Sequence, residues 1–275
     1  MKKLYIQNLA MFVTEKCNLN CAHCCRGSCN NKSMSDEVME NTLEKVDLLG
    51  RLSISGGEPT LAVDRIEKIF SYVIDNNIFL ESVYTILNGT IYSEKLLKLY
   101  DEMNEYIRLC NGLPVGEVSC LFGISYDDFH FESLEERNLL DLYNYNCLQY
   151  ADSIYFDNLI DIDYPVFKEG NAVNLPNHLT TPFSKIGFLT AYSLYPNSAL
   201  KMNTICSLGP IVAVNVDGIV TECDASWDNQ RTLYNYGSIL NEDFESILLR
   251  NGAKIIEPMQ WEEESSKLLK KYFNY

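Results

Sequence analysis

Three cysteines, Cys17, Cys21 and Cys24, lie within eight residues of each other, directly after an apolar, strand-like run at 11–14. Thiolates are soft ligands that select iron–sulfur clusters, zinc or copper(I), and close packing alone gives no reason for this spacing. A structural zinc site needs four ligands, and an electron-transfer cluster usually takes four cysteines. The local set of three therefore predicts a metal centre with one position left open, on a loop that follows a strand.

Strand-like and helix-like segments alternate through the first half of the chain. This alternation predicts βα units on a parallel sheet, an architecture that binds ligands at the carboxyl ends of its strands. After the first strand we expect, in order, a helix from an N-cap at Ser35 to Gly50, a short strand at 52–55, a helix around Ile66 to Ile74, a strand at 83–87, a helix at 93–108, a strand at 118–125 and a helix at 132–149.

Polar motifs follow each of the predicted strands. The triad follows the first strand, and the turn Gly56-Gly57-Glu58-Pro59 follows the second. Asn88 follows the third, and Ser125 ends the fourth. Adjacent glycines let the backbone approach a ligand closely, and a glutamate can accept a hydrogen bond from an ammonium group.

The pattern Cys-x3-Cys-x2-Cys, with the ring residue His23 before the last cysteine, resembles the signature of the radical S-adenosylmethionine (SAM) superfamily. The Gly-Gly-Glu-Pro turn resembles that family's motif whose backbone binds the methionine amino group of SAM. The resemblance implies a partial (β/α)6 TIM-type barrel with a small α+β C-terminal extension. A zinc knuckle and a plain redox cluster are the alternatives for the triad.

The resemblance also implies the cofactors and their ligands. A 4Fe-4S cluster would be held by Cys17, Cys21 and Cys24, and its open iron would be chelated by SAM. One electron would then cleave the SAM sulfonium bond, and the resulting 5′-deoxyadenosyl radical would abstract hydrogen from a substrate. The expected SAM-binding residues are His23, Ser55, Gly56, Gly57, Glu58, Asn88 and Ser125, while Cys25 and Cys29 are expected to be spectators.

A proton-handling group is predicted after the fourth strand. Asp127, Asp128 and His130 are close in sequence, and a histidine near carboxylates can be tuned toward neutrality. A solvated loop is the alternative interpretation. Farther along, Gly170-Asn171-Ala172 resembles a Gly-Arg-Ala segment of the family, with asparagine in place of the arginine.

The C-terminal part carries a second set of signals. Two strand-like halves surround Asp217-Gly218, which predicts a hairpin between Cys206 and Cys223. This stretch resembles the start of SPASM or twitch modules, although no cysteine follows Cys223 to complete an auxiliary cluster. We therefore expect a radical SAM core at 1–175 and a SPASM/twitch-like module with a helical tail at 176–275.

Composition limits the class of protein. The 275 residues are 47% hydrophobic, which predicts a globular chain, and a net charge of −16 disfavours nucleic acid or an anionic membrane as partner. The N-terminus lacks a signal-peptide pattern, and no apolar run is long enough to span a membrane. Cysteines scattered singly among apolar residues indicate a reducing, cytoplasmic location.

The leading hypothesis is a radical SAM enzyme that modifies a peptide, with flavodoxin or ferredoxin as the reducing partner. Trp227, Tyr234 and Tyr236, together with the acidic Glu222, Asp224 and Asp228, are expected to line a groove for a basic peptide. Because the sequence starts directly at the barrel, we expect no N-terminal peptide-recognition domain. The alternatives are a radical SAM enzyme acting on a small molecule and a non-catalytic iron–sulfur redox or regulatory protein.

Overall fold

The computed structural model describes residues 4–162, 165–183, 191–193, 211–251 and 254–256. Its first five strands lie side by side in chain order, and every neighbouring pair is parallel. They are β1 (Leu4–Thr14), β2 (Val46–Gly56), β3 (Phe79–Leu87), β4 (Cys120–Ser125) and β5 (Phe156–Ile160). The predicted α/β class with βα units is confirmed.

Helices connect these strands. They are α1 (Asp36–Leu43), α2 (Val63–Asp75), α3 (Glu94–Asn111), α4 (Asp128–Glu136) and α5 (Leu140–Ala151), and a 3-10 helix at Pro59–Ala62 precedes α2. Three helices begin where a side chain accepts a backbone N–H of the first turn: Ser35 for α1, Ser93 for α3 and Asp127 for α4. These caps fix where each connection after a strand turns into a helix.

The later part of the chain adds short elements. They are β6 (Val166–Phe167), β7 (Thr180–Thr181), β8 (Ala191–Ser193), β9 (Val212–Val214), β10 (Ile219–Glu222), β11 (Gly237–Ser238), β12 (Lys254–Ile256), α6 (Trp227–Arg231), α7 (Phe244–Arg250) and a 3-10 helix at Gly170–Asn174. β9 pairs in parallel with β1, and β10 returns antiparallel to β9. The predicted hairpin is confirmed, with Gly218 at φ +76° in its turn.

The main sheet therefore has eight strands in the order β11-β10-β9-β1-β2-β3-β4-β5. No pairing between β5 and β11 closes it among the residues described, so it is an open, partial barrel. The pairing of β9 with β1 joins residues on both sides of the boundary expected at 175, and that boundary stays a prediction. Cys206 and residues 257–275 lie outside the described residues.

β1 is a strand buried on both of its faces. Its side chains from Leu9 to Val13 are 0% exposed on both faces. One face belongs to the main core, and the other packs Ala10 and Phe12 against Ala213 and Trp227. A strand covered on both faces gives a rigid base for the loop that follows it, which is the loop that carries the cysteines.

Two predicted helices were wrong in extent. The first was expected to continue to Gly50 with Val46 and Leu49 on its apolar side, but it ends at Leu43, and both residues belong to β2, where Leu49 pairs with Ile6 of β1. Pairing with β1 overrides the local helical pattern. The helix expected at 132–149 is two helices, α4 and α5, separated at Asn138, whose φ of +56° interrupts the helical backbone.

No helix in the described ranges combines the length and the apolar character that crossing a membrane requires.

Candidate active site

The carboxyl ends of the first four strands bring the predicted motifs to one edge of the sheet. Thr14, at the end of β1, is in register with Gly56 at the end of β2. Leu87 of β3 is likewise paired with Ile124 of β4, which places Asn88 and Ser125 at neighbouring strand ends. The residues predicted from sequence for the site therefore lie at the ends of adjacent strands.

The two glycines after β2 lie against the backbone that leads to the first cysteine. Gly57 N donates to Thr14 O at 2.7 Å, and Glu58 N donates to Lys16 O at 2.7 Å. A Cβ on Gly57 would lie 2.2 Å from Lys16 O, and one on Gly56 would lie 2.4 Å from Thr14 O. Only glycine permits this approach, so the motif fixes the path of the chain just before Cys17.

Glu58 links the segment after β2 to the residue that follows β3. Its side chain is buried, and Oε1 accepts from Thr60 N and from Thr60 Oγ1 at 2.9 and 2.5 Å. Oε2 accepts from Asn88 N at 2.7 Å. Burial raises the pKa of Glu58, although these hydrogen bonds act in the opposite direction. The carboxylate thus orients Asn88, and its direct contact with a ligand ammonium stays a prediction.

Asn88 belongs to a network of side-chain amides and a hydroxyl. Its Nδ2 donates to Asn18 Oδ1 at 2.8 Å and lies 3.8 Å from Cys17 Sγ. Its Oδ1 accepts from Thr90 Oγ1 at 2.6 Å, while Asn18 Nδ2 donates to the same hydroxyl at 2.8 Å. Sequence reasoning missed Asn18 and Thr90. Only their positions could have identified them, because Asn18 lies inside the cysteine motif and Thr90 lies two residues after Asn88.

Hydrogen-bond donors surround the three predicted ligand thiols. Leu19 N donates to Cys17 Sγ at 3.5 Å, and a hydrogen bond with Cys29, followed by burial, raises the pKa of Cys17. Burial raises the pKa of Cys21 to about 12 and also raises that of Cys24, while the backbone N–H groups of residues 26 and 27 lower the pKa of Cys24. A bound cation would favour the thiolates, which these donors are placed to stabilise.

A zinc ion and a four-iron cluster require different spacings between their cysteine ligands. Among the described residues, no three His, Cys, Asp or Glu side chains converge closely enough to hold a single metal ion. A zinc ion bound at about 2.3 Å by each thiolate requires such convergence. In a four-iron cluster each cysteine binds a different iron, so the ligand sulfurs stand apart. Three thiolates are a donor set that suits an iron–sulfur cluster, and the identity of the metal stays a prediction.

The predicted acid–base residues are only partly brought together. His23 Nδ1 lies 3.5 Å from Asp127 Oδ1, and burial lowers the pKa of His23 to about 4. His130 is 2% exposed, with Nε2 at 3.0 Å from Asn88 O and Nδ1 at 3.8 Å from Cys21 Sγ. Asp127 caps α4 through His130 N, whereas Asp128 is exposed.

The imidazole of His130 thus faces the cysteine loop and the backbone of Asn88 rather than the two carboxylates. Ser125 and Ser55 are half-buried at their strand ends, and the Ser125 carbonyl accepts from Tyr143 at 2.8 Å. An acid–base role for the residues after β4 stays a prediction.

The family comparison agrees with this geometry. The sequence profile of the radical SAM superfamily matches residues 11–113, the segment that contains the triad, the Gly-Gly-Glu-Pro turn and Asn88. Residues 11–113 carry a radical SAM superfamily domain. This confirms the family predicted from the triad and, with it, the predicted class of enzyme.

Curated relatives match parts of this radical SAM chain. An uncharacterized protein of Methanocaldococcus jannaschii is 30% identical over 118 residues, which is 41% of this chain and 41% of that protein. A probable GTP 3′,8-cyclase of Pyrococcus abyssi is 35% identical over 77 residues, or 26% of this chain and 25% of that protein. The chain thus aligns with less than half the length of either relative.

Two solved structures with distant sequences align with much of this chain. A structure described as native anSMEcpe with bound AdoMet and Cp18Cys peptide aligns with a TM-score of 0.47 and 17% identity, covering 88% of this chain and 79% of that one. Streptococcus suis SuiB bound to precursor peptide SuiA aligns with a TM-score of 0.42 and 11% identity, covering 90% of this chain and 64% of that one.

The segment in which asparagine replaces the family's arginine supports the cysteine loop of the radical SAM domain. Asn171 N donates to Cys24 O at 2.9 Å, and Asn171 Nδ2 donates to Cys21 O at 3.1 Å. A Cβ on Gly170 would lie 2.4 Å from Cys25 O, so the two backbones are in direct contact. A neutral amide is sufficient here, because its partners are carbonyl groups.

The C-terminal aromatics differ from the groove that was expected. Trp227 and Tyr236 are 3% and 4% exposed, and Trp227 packs edge-on against Phe12 at 5.5 Å between ring centroids. Arg26 lies over the Phe12 ring at 4.4 Å and donates from Nη1 to Ala225 O at 3.0 Å. These side chains therefore attach the C-terminal segment to β1 and to the cysteine loop. The SPASM/twitch assignment stays a prediction.

A polar cleft opens beside the same loop. Its volume is about 490 Å³, and its polar lining includes Ser28, Asn30, Lys168, Asp228 and Asn229. One wall comes from the cysteine loop and the other from the segments around the second 3-10 helix and α6. The cleft thus carries amide groups and charges of both signs close to the predicted cluster site.

Proposed function

We propose that this protein is a radical SAM enzyme that binds a 4Fe-4S cluster through Cys17, Cys21 and Cys24. The observation that carries the proposal is the meeting of these thiols with the Gly-Gly-Glu-Pro turn and Asn88 at one edge of the parallel sheet. When bound, the cluster would supply the electron that cleaves SAM and yields a 5′-deoxyadenosyl radical. The polypeptide's part is to bind and orient the reactants.

The residues have distinct parts in this proposal. The carbonyl groups of Gly56 and Gly57 are suited to the SAM ammonium, because an ammonium needs acceptors and the N–H groups of Gly57 and Glu58 donate to β1 and Lys16. Asn88, held by Glu58, offers its amide beside Cys17. Ser55, Ser125 and the backbone of His23 complete the proposed SAM contacts at the neighbouring strand ends.

The proposed substrate is a peptide from which hydrogen is abstracted. A peptide main chain carries both donors and acceptors, and the polar cleft beside the cysteine loop carries amides and charges of both signs. The net charge of −16 favours a basic peptide. A small-molecule substrate is the second candidate, since a probable GTP 3′,8-cyclase is among the matched relatives. The proposed electron donor is a flavodoxin or a ferredoxin.

Anaerobic reconstitution tests the cluster and SAM cleavage together. We expect about four irons per chain, a reducible cluster by electron paramagnetic resonance, and release of 5′-deoxyadenosine with dithionite. The variant in which Cys17, Cys21 and Cys24 are all alanine should lose the cluster, whereas Cys110→Ala, at an exposed position on α3, should keep it. Undiminished iron in the triple variant contradicts the ligand assignment. A reducible cluster without SAM binding or cleavage indicates a redox protein instead.

A second assay separates the two substrate classes. Basic peptides, including any short peptide encoded beside the gene, and small metabolites are titrated while 5′-deoxyadenosine formation is followed. Stimulation by a peptide supports the leading proposal. Stimulation by a sugar, amino acid or nucleotide, with none by any peptide, supports the small-molecule candidate.

A further inference from the structure

The two faces of the main sheet differ at β2 and β3. On β2, Leu52 is buried in the main core, whereas Arg51 on the opposite face is half-buried. On β3, Thr85 faces α3, where its hydroxyl accepts from the Tyr100 hydroxyl at 2.6 Å. Successive side chains of a strand point to opposite faces, so Tyr84 faces away from the helices, as Arg51 does. We call the face that carries Arg51 and Tyr84 the inner face.

Two neighbours on the inner face hold the ring of Tyr84 in place. The Tyr84 hydroxyl donates to Asp157 Oδ2 on β5 at 3.3 Å. On β4, which lies between these two strands, a Cβ on Gly123 would lie 2.9 Å from that hydroxyl, so glycine leaves room for it. Burial, together with Asp157, raises the pKa of Tyr84 to about 12, and the phenol therefore stays protonated and donates at neutral pH.

The guanidinium of Arg51 lies over this ring, with Cζ at 4.9 Å from the ring centroid. Tyr84 is in register with Ser53, so the Arg51 side chain extends along β2 toward the strand ends. A cation–π contact positions the guanidinium but uses none of its N–H donors. Within the described part of the chain, Arg51 has neither a carboxylate nor a hydrogen-bond acceptor as a side-chain partner. The protein thus positions a cation whose N–H donors it does not use.

A carboxylate is the ligand that suits this arginine. The N–H groups of a guanidinium form a planar fork that matches the two oxygens of a carboxylate. Such hydrogen bonds gain strength where water is partly excluded, as it is at a half-buried side chain. Asp157 is bound to the same tyrosine, and its negative charge disfavours a doubly charged phosphate. Ile86, on the same face and 46% exposed, offers an apolar surface to the rest of the ligand.

We propose that Arg51 binds a carboxylate group on the inner face and thereby anchors a carboxylate-bearing ligand that has an apolar part. The inference rests on the proposed function in one respect, because it takes this ligand to be the substrate from which hydrogen is abstracted. A peptide meets the requirement through its C-terminus or through an acidic side chain. Neither Arg51 nor Tyr84 belongs to the motifs from which the site was predicted.

Calorimetric titration with benzoate tests the site, with benzamide as a neutral ligand of nearly the same shape. Wild type should bind benzoate and should not bind benzamide comparably. Arg51→Gln should weaken benzoate binding about tenfold or more, as the loss of a hydrogen-bonded ion pair implies. Arg108→Gln is the matched control, because it removes the same charge from α3, where Arg108 pairs with Glu105, and it should leave benzoate binding unchanged.

Three results overturn the proposal: equal binding of benzoate and benzamide, tighter binding of inorganic phosphate than of benzoate, or unchanged benzoate affinity in Arg51→Gln. If Arg51→Gln does not fold, the decision comes from modification of wild type by phenylglyoxal, mapped by mass spectrometry. Protection of Arg51 by benzoate and not by benzamide supports the proposal, and absence of protection overturns it.

All titrations use the full chain after anaerobic reconstitution, so that failure of this proposal and failure of the proposed function can be distinguished. Benzoate binding through Arg51 in a wild type that takes up no cluster refutes the proposed function alone. A wild type that holds a cluster and cleaves SAM but does not bind benzoate refutes this proposal alone.

Discussion

Replacement of Glu81 by glutamine should stabilise the protein at alkaline pH. Glu81 lies on β3, is half-buried, and has its Oε2 enclosed without a hydrogen-bond partner in the described structure. Burial raises the pKa of its carboxyl group from 4.5 to about 7. Because the folded-state pKa is the higher one, the group's contribution to stability is present below pH 4.5 and is lost as the pH rises through 7.

The size of the effect follows from that difference in pKa. If the whole difference in pKa acted on stability, ionisation of Glu81 would lower the free energy of unfolding by about 3 kcal/mol at pH 8. Water still reaches part of the side chain, and we therefore expect about 1.5 kcal/mol. At pH 5 the loss of stability is only about a quarter of this value, because the carboxyl group of the folded protein is then mostly protonated. Glutamine has nearly the same shape and carries no charge, so Glu81→Gln should raise the melting temperature by about 3–6 °C at pH 8 and by little at pH 5.

Thermal and urea unfolding of wild type and Glu81→Gln at both pH values measure this difference. Glu117→Gln, at an exposed position before β4, is the matched control and should change stability little at either pH, because water solvates that carboxylate. The reasoning is refuted if Glu81→Gln is no more stable than wild type at pH 8, or if its advantage is the same at pH 5.

Three further predictions concern other parts of the molecule. Gly57→Ala should displace the backbone at Lys16, since the added Cβ would lie 2.2 Å from Lys16 O; reduced iron loading would show this, and full loading would contradict it. Arg231→Met should destabilise the protein by about 3 kcal/mol in urea unfolding, because it leaves the fully buried Glu15 without its cation, and adding Glu15→Gln should recover part of the loss. Cys223→Ala should leave iron at about four per chain; eight in wild type would indicate a second cluster.

The positions of the motifs at the strand ends could be predicted from sequence because they depend on short runs of residues. The cysteine spacing, the adjacent glycines and the Asp217-Gly218 turn each act through local geometry, which a few consecutive residues determine. The start of the first helix was recognisable for the same reason, since Ser35 caps it as predicted, whereas the cap at Asp127 was missed. These local signals were enough to indicate the parallel sheet and the edge at which the motifs meet.

The extent of β2 could not be predicted from its own residues. The segment from Val46 to Leu49 continues the apolar spacing of α1, and only its pairing with β1 makes it a strand. The hydrogen-bond partners of the site residues could not be predicted from sequence either. Glu58 is bonded to the backbone of Asn88, and Ser133 is bonded to the backbone of Asn20, through contacts that join distant parts of the chain.

The sequence by itself therefore determined which motifs are present and at which strand ends they lie. The tertiary structure decided what holds those groups: Asn171 beneath the carbonyls of the cysteine loop, His130 beside Cys21, and Trp227 buried against β1 instead of facing a groove. The physical reason is that motifs encode local backbone geometry, whereas burial and hydrogen-bond partners depend on which distant segments the folded sheet brings into contact.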